Sequence, residues 1–105
     1  MLFGTNSTMS EWLVEYHPEI ARDLRQIDEA VWLRIRKAID VHYARLPSPG
    51  KPLTHELRNY RTFRVGNWRA IGRLKGSTLT IFVVQHRNKG YGPDLIRTLK
   101  RRDLH

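Results

Sequence analysis

Apolar residues recur along this chain with two different periods, and the change from one to the other divides it. Trp12-Leu-Val-Glu-Tyr-His17 is rich in β-formers and predicts a short strand. Pro18 suits a first helical turn, with Glu19 near the positive end of the helix dipole. From there Ile20, Leu24, Ile27 and Val31 recur at helical spacing, and Ile35, Ala38, Ile39, His42 and Leu46 continue the stripe. This pattern predicts an amphipathic helix or, with a break near Asp28, a helical hairpin. The remaining helical faces carry Arg22, Asp23, Arg25, Arg34, Arg36 and Lys37.

Pro47-Ser-Pro-Gly50-Lys-Pro52 stops the helix and makes a rigid connector. Beyond it the period becomes that of a sheet. Leu57 to Val65 reads as a strand, Gly66-Asn67 as a tight turn and Trp68 to Leu74 as the returning strand. Lys75-Gly76-Ser77 turns the chain again. Thr78 to Gln85 is a continuous β-branched and aromatic run, as expected of a central strand buried on both faces. Gly90, Gly92 and Pro93 mark a loop, and Asp94 to Arg102 predicts a last basic helix. The order is β-α-α-β-β-β with a terminal helix. It predicts an α+β fold: an N-terminal strand and a helical hairpin packed on a small antiparallel β-sheet, followed by a C-terminal basic helix or tail. Residues 1–10 are expected to be a flexible leader, and residues 11–105 one domain.

Charge changes the picture. Net charge is +9, but it is unevenly spread. Residues 1–40 hold five Lys/Arg against seven Asp/Glu, a balance of −2; residues 41–105 hold fourteen against three, a balance of +11. Such a patch favours nucleic acid, because each neutralised phosphate releases counterions, or else an acidic protein partner. A solubilising or membrane-surface patch is the plainer alternative. The chain has no cysteine, so disulfide, thiolate and cysteine-zinc chemistry are excluded. No apolar run approaches the roughly 18 residues that span a bilayer, and the start of the chain lacks the pattern of a signal peptide. A cytoplasmic location is expected.

Side chains alternate across a strand, so Phe63 and Val65 share one face and Thr62 and Arg64 the other. Pointing Phe63 and Val65 at the helices turns Arg64 to the open side of the sheet. On the next strand Arg69, Ile71 and Arg73 share a face, opposite Trp68, Ala70 and Leu74. A tight turn at Gly66-Asn67 makes Arg64 and Arg69 near neighbours, and Arg87 is expected to join them. Taken singly these arginines read as solvated surface; clustered with Tyr91 and His86 they read as a site. His86 is expected on the strand face of Phe82 and Val84, pointing toward the core. Trp12, Trp32 and Trp68 read as core residues rather than base-stacking platforms.

No glycine-rich phosphate loop and no zinc-ligand spacing is present. The basic half has only Glu56, Asp94 and Asp103 as carboxylates, whereas a magnesium-dependent nuclease uses converging carboxylates. No metal and no cofactor is therefore expected, and a nuclease on this chain would be metal-independent.

Two segments carry a resemblance. Tyr60-Arg-Thr-Phe-Arg-Val-Gly-Asn-Trp-Arg69 is close to an R-V-G-D-Y-R core, and His86-Arg-Asn-Lys-Gly-Tyr91 to an H-R-x-x-x-Y ending. With the opening strand, the helical hairpin and the connector, they resemble the RelE/ParE superfamily, the toxins of bacterial type II toxin–antitoxin pairs, over about Trp12 to Tyr91. RelE-type members cleave mRNA, usually in the A site of the 70S ribosome. ParE-type members inhibit DNA gyrase and generally lack the nuclease residues.

Position by position, the resemblance implies catalytic roles for Arg64, Arg69, Arg87 and Tyr91, with His86 as a further proton-active candidate. Arg61, Arg73, Lys89, Lys100, Arg101 and Arg102 are expected to bind RNA. The chain departs from the pattern at Thr62, where some relatives carry a second lysine, and at Lys51, where others carry a glutamate. The reading that follows is an endoribonuclease toxin that inhibits translation, with a cognate antitoxin as partner and Asp94 to Arg102 as a docking or mobile element. The alternatives are a gyrase inhibitor of the ParE type and a non-catalytic nucleic-acid-binding relative.

Overall fold

The structure, a computed structural model, describes residues 11–104; the expected leader, 1–10, lies outside the described residues. Strand β1 (Leu13–Tyr16) leads into a short helix α1 (Ile20–Asp23), which tightens into a 3₁₀ turn at Leu24–Gln26. Helix α2 (Glu29–Lys37) follows, widens at Ala38–His42 and ends at Tyr43–Arg45. The hairpin breaks at Asp28, whose extended backbone (ψ 140°) precedes α2. The remaining strands are β2 (Lys51–Pro52), β3 (Arg61–Val65), β4 (Trp68–Lys75) and β5 (Thr78–His86), and helix α3 (Pro93–Asp103) closes the chain.

The five strands lie in the order β1-β5-β4-β3-β2. The fold is the expected α+β one, with one correction: β1 runs parallel to β5, so the sheet is mixed rather than antiparallel. A parallel neighbour needs a long crossover, and the helical layer with the three-strand meander supplies it. A second difference lies at residues 57–60, expected as strand. Leu57 closes a 3₁₀ turn, His55 has φ 55°, and Tyr60 N–H donates back to the Leu57 carbonyl.

Two cores sandwich the sheet. Ile20, Ile27, Ile35 and Ile39 from the helical stripe meet Phe63, Ala70, Leu79, Ile81 and Val84 on one face. On the other face Leu95 and Leu99 of α3 cover Ile71, Phe82, Val83, Leu57 and Tyr60. The face expected to be open is thus partly roofed by the C-terminal helix. Full burial of side chains such as Phe63, Ile39 and Leu99 contributes about 1.5–3 kcal/mol each.

The pairing of β4 with β5 slips between Ile71 and Gly72, where Ile71 faces Val83 but Gly72 faces Ile81. Phe82 is the extra residue of a β-bulge. The bulge turns Ile81 and Val84 to the first core and Phe82 and Val83 to the second. His86 therefore shares its face with Val84 and not with Phe82. Among the described residues no helix is long and apolar enough to cross a membrane.

Candidate RNA-binding groove

Gly66 adopts φ 60° at the first position of the two-residue turn joining β3 and β4, a conformation that glycine takes without steric cost. The turn sets the register, and Arg64 lies directly opposite Arg69. Like charges in direct cross-strand register are destabilising, so this hairpin carries an electrostatic load at its tip. Part of it is relieved locally. Arg64 Nε donates to the Gly66 carbonyl at 3.4 Å, and Arg69 Nη1 donates to Tyr91 Oη at 3.1 Å. The Arg69 guanidinium also lies 5.2 Å from the Tyr91 ring centre, within cation–π range.

These side chains line a groove of about 530 Å³ between the hairpin and the connector. Lys51, Thr62 and Tyr43 complete its polar wall. Thr62 Oγ1 is buried there without a hydrogen-bond partner. Tyr43 braces the wall: its hydroxyl donates to the Arg64 carbonyl at 2.8 Å and its ring packs edge-on against Phe63. Gly50, at φ 77°, lies where a Cβ would meet the Phe63 ring at 2.6 Å, so the connector approaches β3 this closely only with glycine. The groove's lining includes three cations and no carboxylate, an arrangement suited to a phosphodiester. Among the described residues no cluster of histidines and carboxylates could hold a metal ion.

The structure brings Arg64, Arg69 and Tyr91 together and places the other expected site residues elsewhere. His86 lies on the opposite face, edge-on to Trp68 at 5.2 Å, with Nδ1 accepting from Asn88 N–H. Arg87 is exposed beyond the end of β5; its backbone N–H donates to the Asn67 carbonyl, and its side chain is not among the groove's walls. Lys89, Lys100 and Arg101 are exposed, and Arg101 reaches Glu19 at 3.3 Å.

Three of the expected RNA-binding arginines are turned into the protein instead. Arg61 donates to the Pro49 carbonyl at 2.7 Å and to Ser48 Oγ at 2.9 Å, so it builds the connector wall. Arg73 pairs with Asp103 and covers the Phe82 ring. Arg102 is 4% exposed and bonded to Asp23 and to the Phe82 carbonyl. The expected C-terminal docking element is therefore anchored in this structure by Arg102 and Asp103.

Two hydroxyls elsewhere in the fold are held protonated. Burial, a hydrogen bond to Asp103 and that carboxylate's charge push Tyr60 up to about 12, with Arg73 opposing. Tyr16 moves well above the ordinary tyrosine range by burial and by its hydrogen bond to Asp40. Among the groove's braces, Tyr43 carries no sequence signal beyond its place at the end of the helical stripe.

The groove thus lies on a mixed five-stranded sheet between a helical hairpin and a C-terminal helix. Residues 14–91 match the family described as the ParE toxin of the type II toxin–antitoxin system, parDE, and the chain belongs to that family. The crystal structure of the toxin–antitoxin complex RelBE2 from Mycobacterium tuberculosis contains a chain similar to it. That likeness has a TM-score of 0.68 and 27% identity, and covers 75% of this chain and 94% of the other. No curated protein matches the chain.

Proposed function

We propose that this toxin is a metal-independent endoribonuclease that cuts mRNA in the ribosomal A site and so arrests translation in the cytoplasm. The observation that carries the reading is the placing of Arg64, Arg69 and Tyr91 in one carboxylate-free groove. Two guanidinium groups held in cross-strand register can flank one phosphate and stabilise the charge that builds on its non-bridging oxygens. The substrate's 2′-oxygen attacks phosphorus, the bond from phosphorus to the 5′-oxygen breaks, and a 2′,3′-cyclic phosphate and a 5′-hydroxyl result. The 2′-hydroxyl proton passes to water. Tyr91 Oη accepts from Arg69, which leaves its own hydrogen available for the departing 5′-oxygen. The ribosome supplies much of the positioning. The same basic face suits a cognate antitoxin with an acidic or amphipathic segment.

The test is primer extension on a reporter mRNA after brief induction, beside Arg69→Ala and Tyr91→Phe. New 5′ ends within translated codons, absent in the variants, are expected. A second reading is inhibition of DNA gyrase, favoured by the family match itself, which is to ParE. Intact mRNA with double-strand breaks and an SOS response would establish that reading in place of the first.

A further inference from the structure

A second cavity, of about 370 Å³, lies between α1, the end of β5 and the start of α3. That volume is within the range of small-ligand sites. It shares a wall with the groove. Trp68 lines this cavity while Arg69 lines the groove, and Gly90 lines this cavity while Tyr91 lines the groove. The partition is therefore one strand and one loop thick, and consecutive residues of the same chain face its two sides. It is also braced, since Gln85 Nε2 donates to the Gly90 carbonyl at 2.8 Å.

The cavity's chemistry differs from that of the groove. Trp68 and His86, in edge-to-face contact, form an aromatic wall. Lys89 and Arg22, both exposed, stand at its margin, Arg22 in a surface pair with Glu19 at 3.6 Å that a phosphate can exchange. Of the two carboxylates in the lining, Asp23 is held by the buried Arg102, while Asp94 stands in solvent at the rim beside Arg97. The lining thus sets three cations, Arg22, Lys89 and Arg102, against two carboxylates beside two aromatic rings, and single-stranded nucleic acid takes positive charge for its backbone and aromatic surface for its bases.

We infer that this cavity is a subsite for the RNA nucleotide next to the scissile phosphate. The strand passes over the partition at Arg69 and Tyr91, its base enters against Trp68 and His86, and its phosphate meets Lys89 and Arg22. The inference rests on the endoribonuclease reading. It gives His86 and Lys89 a substrate contact on the opposite side of the partition from the reacting phosphate.

The probe is a short RNA with a 2′-deoxynucleotide at the cleavage position, which cannot be cut, titrated into the full-length protein and followed by two-dimensional NMR. Saturable shifts at the Trp68 indole and the Lys89 and Gly90 amides, together with shifts at Arg69 and Tyr91, are expected. Lys89→Ala and Arg22→Ala, both surface changes, should each lower the salt slope of binding by about 0.7, the value for one lost phosphate contact on a single strand. Shifts confined to Arg69 and Tyr91, with unchanged salt slopes in both variants, would overturn the subsite and leave the nuclease reading standing. No shift at either set would also overturn the subsite, and the nuclease reading would then be decided by the primer extension on translated mRNA alone.

Discussion

Asp23 and Arg102, seventy-nine residues apart in sequence, pair through two hydrogen bonds of 3.0 and 3.1 Å at the edge of β5. Asp23 Oδ2 also accepts from the Val84 N–H, and Arg102 Nη1 donates to the Phe82 carbonyl. β1 stops at Tyr16, opposite Ile81, so among the described residues no strand covers that edge of β5 beyond this point. The ion pair supplies the acceptor and the donor that such a strand would bring. In doing so it ties α3 to α1 across that edge.

Removing Arg102 strands the Asp23 carboxylate in a site where its side chain is 15% exposed. Arg102→Ala is expected to cost about 3–5 kcal/mol, seen as a lower urea midpoint. The double variant Asp23→Leu/Arg102→Met should lose clearly less than the two single changes added together, since no charge is left unpaired. Additive losses would show that the two side chains act separately.

The groove arginines should behave in the opposite sense. Arg64 and Arg69 repel each other across the hairpin, so Arg64→Thr is expected to raise stability by about 0.2–1 kcal/mol. The same change should lower mRNA cleavage by roughly 10²–10³-fold, the usual cost of one lost transition-state donor. A variant that lost stability along with activity would mean that Arg64 holds the hairpin rather than loads it.

The hairpin and its facing arginines were legible because Gly66-Asn67 names the turn and the alternation on either side fixes the register. Other features had no comparable local sign. Thr78 to Gln85 is apolar on both faces, so nothing in it shows that Phe82 is an extra residue and turns away from Val84. Two residues of β2 are too few to display a period. Arg102 sits in a run of three basic residues and looks solvated. Its burial is decided by Asp23, far away in sequence, as the role of Arg73 is decided by Asp103.

Stability should fall in strong base, and Tyr60 supplies part of the slope. Its hydroxyl is raised to about 12 in the folded chain, above its ordinary value of 10.0. The folded state thus holds this proton more tightly than the unfolded state does. The resulting stabilisation is complete below pH 10 and is lost as pH rises toward about 12. Tyr16 acts in the same direction. In denaturation curves taken between about pH 9 and about pH 12, Tyr60→Phe should show a shallower decline than the unaltered protein. Parallel declines would mean that the Tyr60–Asp103 contact does not hold the proton.

Gly72 sits where the bulge begins, and a Cβ there would lie 2.4 Å from the Thr80 carbonyl oxygen and 3.1 Å from Ile81 Cδ1. The first of these is backbone in the middle of the β4–β5 ladder, so it cannot swing aside as a flexible side chain would. Gly72→Ala must either push β5 away or move the bulge along it. Moving the bulge by one residue would turn Ile81 out of the first core or Phe82 out of the second. Strand separation also stretches the ladder that carries Arg69 and the end of β5. A loss of about 1–3 kcal/mol is expected for such overpacking, with weakened cleavage because the groove is built on the same strand. By contrast, Gly76→Ala has no atom within 4 Å to meet and is opposed only by its positive φ of 62°. It should therefore cost less in the same denaturation assay. Equal losses at the two positions would show that the close approach to Thr80 costs no more than the positive φ at Gly76, and that β5 gives way to a Cβ at Gly72.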